Sequence, residues 1–338
     1  MLSILFRCDA TPEIGSGHVM RCLSLALELK RMQIKAGFVV SKLSSLGGSL
    51  IQKKGFSIFE TGTKNPSTPL NIEDCNRTCS IAYKNQVEFV IVDHYSAKNN
   101  YIADLKTKKF KVGLIDDIPD RNFEGIDWIL NQNIGITDSY DNLSDSSVRL
   151  FGPDYALLRP EFEKVSLHRK SLNRNVLVTL GGGDVQLETR QILEALASVK
   201  QSIRIRVIGI AEEDVQSAQL GGHELRAIPR TNRLIDHMKW ADISIIAGGT
   251  TCWEMCRMGI PSLILILADN QAMNAKSLEK IGFAINLGKI SCAVKGVSSK
   301  VDNLLNDTVK IRKMGRLGAS LVDGRGCYRA SKSIIGIL

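Results

Sequence analysis

A histidine preceded by two glycines is the residue of this sequence that is best placed to do chemistry. His18 follows Gly15-Ser16-Gly17, and the apolar residues after it recur at the spacing of one helix face. His18 therefore falls on the first turn of a predicted helix, where unpaired backbone N–H groups and the positive end of the helix dipole disfavour an imidazolium. We expect a neutral ring that accepts a proton, the state that a general base needs. The alternative is a helix cap or a solvated side chain.

The loop before His18 matches neither of two familiar phosphate-binding patterns. The dinucleotide pattern G-x-G-x-x-G would need glycine where Met20 stands, and the G-K-[ST] of a P-loop is absent. The glycines instead allow a ligand to approach the backbone closely. Neither pattern therefore explains this loop.

Polar side chains also follow several buried apolar segments. Asp9 ends the first of them, Asp93-His94-Tyr95 ends residues 87–92, and Asp116 ends residues 111–115. Apolar segments that alternate with helical patterns predict a parallel sheet, whose strands place their carboxyl ends at one edge. We expect one cleft to hold these side chains: Asp9, His18, Asp93, His94, Tyr95 and Asp116. Asp9, Asp93 and Asp116 are all candidates to orient the imidazole, and each is also compatible with a cap or a turn.

Two glycine turns in the distal half are placed to meet an anion. Gly181-Gly182-Gly183-Asp184 follows the predicted strand 176–180, and Gly248-Gly249-Thr250-Thr251 follows the predicted strand 241–247. Each turn precedes a predicted helix, whose first N–H groups attract phosphate, and the two threonines add hydroxyl donors. Phosphate would repel Glu254, one turn further on, so we expect it to face a sugar hydroxyl pair, as acidic residues do with ribose. A capping threonine with a solvated glutamate is the alternative.

Strand and helix patterns alternate along the chain and divide it into two α/β domains. In the first domain we predict a strand from residue 4, then helices and strands at 18–31, 36–40, 47–54, 72–84, 87–92, 111–115, 127–130 and 149–151. The second series is 176–180, a helix to 198, 203–208, 224–228, 232–240, 241–247, 252–258 and 262–267, with a helical pattern over 294–338. Turn residues fill 61–70. The predicted domains are 1–151 and 175–338, joined by a linker at 152–174, with the last segment packing back on the first domain.

The composition excludes several classes of protein. The chain has 338 residues, 44% of them hydrophobic, and no apolar run near the ~20 residues that a bilayer span needs. No signal region precedes the first strand, so we expect a cytoplasmic protein without stable membrane insertion. The net charge of +9 is spread along the chain rather than collected in a basic stripe, which argues against nucleic acid. The eight cysteines include no C-x-x-C pair, and we interpret them as reduced thiols, mostly in the core.

With these segments assembled, the chain resembles the UDP-2,4-diacetamido-2,4,6-trideoxy-β-L-altropyranose hydrolase family, the UDP-sugar hydrolases of pseudaminic acid biosynthesis. The resemblance covers nearly the whole chain, and its most specific segments are Arg7 to Ala10 with Ile14 to Leu23, and Ala247 to Glu254. Shorter segments continue it: Val92 to Tyr95, Ile115 to Asp117, Leu130 to Asn133, Tyr155 to Phe162, Gly181 to Asp184, Leu267 to Gln271 and Val322 to Gly326. The family is similar in architecture to the lipid II-forming N-acetylglucosaminyltransferase.

The resemblance implies two Rossmann-like domains in the glycosyltransferase-B architecture. It implies that UDP binds mainly to the C-terminal domain and that the sugar is reached from the N-terminal one, with no metal ion and no cofactor. It matches His18 to the general base, and the other catalytic candidates are Asp9, Asp93 and Tyr95. The candidate UDP-binding residues are Gly182, Gly183, Ile208, Gly209, Ile228, Gly248, Gly249, Thr250, Thr251 and Glu254. The candidate sugar-binding residues are Gly17, Arg21, Asn270 and Gln271, the last two with amide groups that read hydroxyl or acetamido groups without adding charge.

The expected reaction is hydrolysis of a UDP-linked 2,4-diacetamido-2,4,6-trideoxyhexose at its anomeric carbon, with water activated by His18. The absence of any D-x-D triplet agrees with a metal-independent enzyme. An inverting glycosyltransferase, which would use a UDP-amino sugar and a hydroxyl acceptor, is the main alternative. A nucleotide-sugar sensor is disfavoured because binding alone gives no reason to place His18 in its loop. The UDP-sugar is the only predicted partner, and no oligomeric state is predicted.

Overall fold

The computed structural model describes most of the chain. The described residues are 3–11, 15–41, 45–62, 70–118, 121, 123–136, 140, 143–165, 172–211, 222–231 and 233–338. Most of the turn-rich loop predicted at 61–70 and the basic part of the predicted linker, 166–171, lie outside them. So does residue 232, the start of one predicted helix.

The chain forms two compact α/β units, which confirms the predicted fold class. One unit combines Met1–Pro160 with Gly324–Leu338, and the other is Glu161–Asp323. These bounds differ from the predicted domains, because residues 152–160 group with the first unit instead of forming a separate linker. The last segment also groups with the first unit, although it lies more than 160 residues further along the chain.

Thirteen strands are present among the described residues, each named here in chain order. In the first unit they are β1 Ile4–Cys8, β2 Ala36–Val40, β3 Ser57–Glu60, β4 Phe89–Asp93, β5 Lys111–Ile115, β6 Trp128–Asn131 and β7 Val148–Phe151. In the second unit they are β8 Asn175–Thr179, β9 Arg204–Ile208, β10 Glu224–Ile228, β11 Ile243–Ala247, β12 Ser262–Ile266 and β13 Ala284–Lys289. The strands β3 and β13 were not predicted.

The helices of the described residues follow the same numbering. They are α1 Gly17–Arg31, α2 Ser45–Lys53, α3 Ile72–Lys84, α4 Asn99–Thr107, α5 Gln186–Leu196, α6 Leu234–Trp240, α7 Thr251–Met258, α8 Ala272–Ile281, α9 Ile290–Ala293, α10 Val297–Asn306, α11 Thr308–Leu321 and α12 Gly326–Ile335. Of these, α4, α8 and α9 were not predicted. No helix of the described residues combines the length and apolar character required to cross a bilayer.

Both sheets are parallel. In each sheet, the direction in which the chain adds successive strands reverses at one point. In the first unit the strand order is β3-β2-β1-β4-β5-β6-β7, so the chain leaves β1 toward one edge and returns at β4 toward the other. In the second unit the order is β10-β9-β8-β11-β12-β13, and the reversal lies between β8 and β11. Open α/β sheets bind ligands outside the carboxyl ends of their strands at such a point. The topology therefore marks one candidate position in each unit.

Apolar strands form the centre of each unit. The central strands β1, β2 and β4 are buried along their whole length, as expected for parallel strands covered on both faces. The core of the first unit includes Cys327, Ala330 and Ile334 from α12, and Trp128 Nε1 donates to Ser333 Oγ over 2.8 Å. The C-terminal helix is therefore part of this core.

All eight cysteines are free thiols, and all but Cys292 are buried. Cys75 and Cys79, one helical turn apart in α3, have their sulfur atoms 4.0 Å apart. The chain therefore uses cysteine mainly as a small core residue, as expected from the sequence.

Candidate active site

His18 lies where the strand order of the first sheet reverses, between β1 and β4. The helix α1 begins at Gly17, directly after a loop that is closed by a hydrogen bond from Gly15 N to Thr11 O over 2.8 Å. This loop follows β1, and β1 pairs with β4 in register from Ile4 with Phe89 to Cys8 with Asp93. The pairing places the end of β4 beside the first turn of α1, so the imidazole and the Asp93 carboxylate meet.

Asp93 is the carboxylate that contacts the imidazole. Its Oδ1 lies 2.6 Å from His18 Nδ1, and the Asp93 side chain is fully buried. Burial opposes ionisation of this carboxyl, but the charge of Arg21 and the hydrogen bonds from Arg21 and His18 outweigh it and hold the pKa of Asp93 well below its usual range. An ionised carboxylate only accepts hydrogen bonds, so Nδ1 carries the proton. In the neutral ring, Nε2 is then the basic nitrogen.

The Nε2 atom is free to act on a ligand. Within the described residues it has no hydrogen-bond partner, and the ring is 4% exposed. The ring of Tyr95 packs edge-on against the imidazole with a centroid distance of 4.3 Å, and Tyr95 is 39% exposed. The site thus combines a shielded imidazole with an accessible phenol ring beside it.

Arg21, one turn after His18, holds Asp93 from the other side. Its Nε donates to Asp93 Oδ2 over 2.7 Å and its Nη2 donates to Asp93 Oδ1 over 2.6 Å, while Nη1 donates to Asp117 Oδ2 over 2.5 Å. The guanidinium also lies 3.3 Å from His18 Nδ1, but a protonated Nδ1 accepts nothing. Arg21 is 2% exposed, so its observed contacts are with carboxylates, and its role in binding sugar stays a prediction.

Asp9 belongs to a second histidine–carboxylate pair at the same edge of the sheet. His94 Nε2 lies 3.4 Å from Asp9 Oδ2, and His94 Nδ1 accepts from Ser96 N over 3.0 Å, so both ring nitrogens are engaged. Asp9 also accepts from Ser41 N and Oγ over 2.7 and 2.6 Å and forms an ion pair with Arg7. These contacts tie the end of β1 to the residue after β2, and the predicted catalytic role of Asp9 stays a prediction.

Asp116, the third carboxylate considered to orient the imidazole, has different partners. It accepts from Arg121 and from Tyr140 Oη, the latter over 3.0 Å. Arg121 donates in turn to the backbone oxygens of Tyr95 and Ala97 over 2.9 and 2.8 Å. Asp116 therefore supports the backbone that carries Tyr95. The neighbouring Asp117 belongs to the Arg21 group instead.

In the second unit, the Gly-Gly-Thr-Thr turn follows β11, where the strand order of the second sheet reverses. The amide groups of Gly249, Thr250 and Thr251 donate to no acceptor within the described residues, and α7 begins at Thr251. The Gly248 amide differs, because it donates to Leu265 O over 3.1 Å. Three free N–H groups at a helix start, with two hydroxyl groups, form a suitable site for a phosphate.

The side chain of Gln271 contacts the backbone at the start of this turn. Its Oε1 accepts from Leu267 N over 3.0 Å and lies 3.3 Å from Gly248 N. A Cβ on Gly248 would lie 2.9 Å from the carbonyl oxygen and from the Cβ of Gln271, so glycine is required at this close approach. Gln271 thus positions the turn, and its role in binding sugar stays a prediction.

The first glycine turn of this unit is held by an arginine that was not predicted. Arg230 Nη1 donates to Gly182 O over 2.8 Å and Nη2 donates to Gly183 O over 2.6 Å. The amides of Gly182 and Gly183 have no acceptor within the described residues. With the carbonyl groups held by the guanidinium, these amides remain available for an anion. A basic residue two positions after a strand end was the sequence signal for Arg230.

The other predicted UDP-binding residues lie at the same carboxyl edge. Ile208 and Ile228 end β9 and β10, and Gly209 N donates to Ile228 O over 2.8 Å. Glu254 is half-buried one turn into α7, and Asn270 is half-buried in a 3₁₀ turn before α8. Every predicted UDP-binding residue is therefore at the edge where the glycine turns lie, and none of their roles is tested. Within the described residues, no three His, Cys, Asp or Glu side chains are grouped to hold a metal ion.

Part of the second unit matches a known family of domains. Residues 175–319, from β8 into α11, match the glycosyltransferase family 28 C-terminal domain. In solved structures, MurG from Acinetobacter baumannii has a TM-score of 0.71 over 99% of both chains at 14% sequence identity. This likeness concerns the fold alone, and it confirms the predicted glycosyltransferase-B architecture.

Proteins related in sequence extend the comparison to both units. The spore coat polysaccharide biosynthesis protein SpsG of Bacillus subtilis is 26% identical over 73% of this chain and 76% of its own length. A UDP-2,4-diacetamido-2,4,6-trideoxy-beta-L-altropyranose hydrolase of Campylobacter jejuni is 25% identical over 59% of this chain and 67% of its own. A Helicobacter pylori protein, named as pseudaminic acid cytidylyltransferase and the same hydrolase, is 22% identical over 81% of this chain. The match spans about half of that protein, 46%. These relatives confirm the resemblance found in the sequence.

Proposed function

We propose that this chain, which resembles the UDP-sugar hydrolases and carries a glycosyltransferase family 28 C-terminal domain, hydrolyses a UDP-linked 2,4-diacetamido-2,4,6-trideoxyhexose. The reaction breaks the bond from the anomeric carbon to the diphosphate and yields free sugar and UDP. The proposal keeps the cytoplasmic location and the place in pseudaminic acid biosynthesis that were predicted from the sequence. It requires neither a metal ion nor a cofactor.

The first unit supplies the base in this proposal. His18 Nε2 takes a proton from water while the water oxygen bonds to the anomeric carbon. Asp93 accepts a hydrogen bond from Nδ1–H, which keeps the ring in the required tautomer and stabilises the imidazolium that forms. General base assistance of this kind contributes ~10²–10⁴ in rate. The exposed Tyr95 ring beside the imidazole is then a contact surface for the sugar.

The second unit stabilises the leaving group. Negative charge develops on the diphosphate as its bond to the sugar breaks, and preorganised N–H donors stabilise such charge strongly. The free amides of Gly249, Thr250 and Thr251 provide these donors, and the turn held by Arg230 provides further ones. Glu254, set back from the helix start, is proposed to bind the ribose hydroxyl pair.

The observation that carries the proposal is the difference between the two nitrogens of His18. Nδ1 is bonded to a buried carboxylate, and Nε2 has no partner within the described residues. A structural histidine uses both nitrogens, as His94 does at the same edge of the sheet. The hydrolase names of two relatives then suggest the reaction that this base serves.

The experiment that tests this function uses purified protein, the UDP-diacetamido sugar and no acceptor in oxygen-18 water. We expect UDP and reducing sugar in equal amounts, with the heavy oxygen in the sugar and none in UDP, because water attacks carbon rather than phosphorus. Treatment of the protein with EDTA should leave the rate unchanged. Label in the UDP, or release that depends on added metal, would contradict the proposal.

A glycosyltransferase is the second candidate, and the match of residues 175–319 to a glycosyltransferase domain favours it. This reaction would use the same base on the hydroxyl group of an acceptor instead of water. The same incubation separates the two functions, because a transferase releases UDP slowly until an acceptor hydroxyl is supplied. Rapid turnover without an acceptor favours hydrolysis.

A further inference from the structure

Arg21 is a buried guanidinium between two carboxylates. It is 2% exposed, and it donates through Nε and Nη2 to both oxygens of Asp93 and through Nη1 to Asp117. Burial alone would lower the pKa of Arg21, but Asp117 and Asp93 raise it well above its usual value. The group therefore holds a permanent positive charge beside the proposed base.

The geometry of this contact determines where the Asp93 carboxylate points. Two parallel N–H···O bonds from one guanidinium fix the plane of a carboxylate. Asp93 Oδ1 accepts hydrogen bonds from both Arg21 Nη2 and His18 Nδ1, each over 2.6 Å. A carboxylate held on one side only would be able to rotate away from the imidazole.

We propose that Arg21, anchored by Asp117, is a positioning residue that fixes the Asp93 carboxylate against His18 Nδ1. Neither residue touches the reacting atoms, and each acts through its neighbour. The inference rests on the proposed function in so far as it treats His18 as the base. It goes beyond that function because it assigns the two residues that hold the Asp93 carboxylate in place against the imidazole.

Arg21 and Asp117 affect the protonation of His18 in opposite directions. The guanidinium charge opposes an imidazolium, so its removal favours protonation of His18. The Asp117 charge favours an imidazolium, so its removal disfavours protonation. Within the described residues, the titratable groups that contact the imidazole directly are Asp93 on β4, Tyr95 after β4 and Arg21 on α1. Arg21 and Cys22, both on α1, contact Asp93, and Asp117 after β5 contacts Arg21. Burial raises the pKa of the Cys22 thiol, so that group stays uncharged.

The test is an NMR titration of the full chain labelled with carbon-13 histidine. The chain has five histidines, and the signal of His18 is the one lost in His18→Gln. We expect Arg21→Gln to move the midpoint of this titration upward, because a positive charge is removed from beside the imidazole. Asp117→Asn should move it downward. The control is Asp127→Asn, which removes a carboxylate paired with Lys106 at 2.7 Å and should leave the midpoint in place.

Arg21→Lys separates charge from geometry. Lysine keeps the positive charge but lacks the paired N–H groups that hold Asp93, so the midpoint should fall below that of the parent protein, because a carboxylate that rotates away stabilises the imidazolium less. The kcat for the UDP-sugar should stay reduced while the KM stays unchanged. Shifts in the same direction for Arg21→Gln and Asp117→Asn, or no shift in either, would overturn the inference. If one variant does not fold, the other still tests the sign.

The titration does not depend on turnover. If the expected shifts occur but no UDP-sugar is hydrolysed, the positioning role holds and the proposed function fails. If hydrolysis occurs and the midpoints do not move, the function holds and the positioning role is wrong.

Discussion

Two buried histidine–carboxylate pairs lie at one sheet edge, and hydrogen bonding distinguishes them. His94 uses Nδ1 as an acceptor from Ser96 and Nε2 toward Asp9, which leaves no nitrogen for a substrate. His18 uses only Nδ1, toward Asp93. Residue type and burial are the same in both pairs. The unbonded nitrogen is therefore the feature that separates the proposed general base, His18, from His94.

The first prediction compares the two histidines directly. His18→Gln should lower kcat by about 10²–10⁴ because the base is lost, while the affinity for UDP, measured by calorimetry, stays unchanged. His94→Gln is the matched control, since glutamine retains an N–H donor for Asp9, and its kcat should fall less than tenfold. A fall of less than tenfold in His18→Gln with intact UDP binding would contradict the role of His18 as base.

The types of these residues could be predicted from the sequence, but their partners could not. Position after a strand and before a helix was enough to select His18 as a candidate and to place Asp93 at the same edge. The choice among Asp9, Asp93 and Asp116 depends on which strands are neighbours and on their register. The order β2-β1-β4-β5 decides it, and no local pattern encodes that order. The contacts of Arg21 with Asp93 and Asp117 were missed for the same reason.

At the scale of the elements, Asp9 joins the carboxyl end of β1 to the segment after β2. Burial raises the pKa of this carboxyl, but the hydrogen bonds from His94 and Ser41 and the charge of Arg7 lower it, and the net result lies well below the usual range. A carboxyl with a depressed pKa in the folded state stabilises the fold above its unfolded pKa of about 3.9. That stabilisation is lost as the pH falls below this value.

The second prediction follows from that sign. Asp9→Asn should lower the free energy of unfolding at pH 7, and the difference from the parent protein should shrink as the pH falls from 5 toward 2. Urea unfolding at several pH values, followed by the fluorine signal of Trp128 in protein labelled with 5-fluorotryptophan, measures it. A difference that stays constant across this range would show that the Asp9 charge contributes nothing.

Close packing of two helices positions the glycine turn of the second unit. A Cβ on Gly315 in α11 would lie 2.5 Å from the carbonyl oxygen of Gly259, which ends α7 with a φ of +61°. A Cβ on Gly318 would meet the ring of Phe283. Because α7 begins at Thr251, α11 supports the helix whose start is proposed to bind the diphosphate.

The third prediction tests that support. Gly315→Ala should lower the stability of the second unit by about 1–3 kcal/mol because the helices are forced apart. It should also weaken UDP binding, because α7 moves. Gly296→Ala is the control: its new Cβ meets nothing closer than 3.8 Å, so both stability and UDP affinity should change little. Equal UDP affinities in the two variants would mean that α11 does not position the turn.

Element prediction from the sequence was accurate where apolar patterns were strong and missed one edge strand of each sheet. The bounds of α3, β5 and β10 agree with prediction. The missed strands are both edge strands: β3 is half-exposed, and β13 contains Gly288 with a positive φ and a register shift opposite β12. These two edge strands show no clear pattern of burial, whereas burial alternates along the edge strand β10, which was predicted.

At the scale of the whole molecule, the chain completes its first unit with its last helix. Gly326, the first residue of α12, packs against the backbone of Tyr155 and Ala156 so closely that a Cβ there would overlap it. Cys327 Sγ donates to Leu158 O over 3.3 Å, and Arg329 Nη1 donates to Asp154 O over 2.9 Å. The amphipathic pattern predicted the helix, but the long-range contacts that choose its unit follow from the fold.

The last prediction uses two adjacent isoleucines of α12. Ile334 is fully buried in the core of the first unit, whereas Ile335 is 39% exposed. Ile334→Ala should lower the stability of the first unit by about 2–5 kcal/mol because it removes buried methyl groups and leaves a cavity, and Ile335→Ala should change it by less than about 0.5 kcal/mol. The three tryptophans report on the units separately in fluorine NMR, because Trp128 lies in the first unit and Trp240 and Trp253 lie in the second. In Ile334→Ala, the Trp128 signal should unfold at lower urea while the other two keep their midpoints. A loss that appears first in the signals of the second unit would contradict the assignment of α12 to the first.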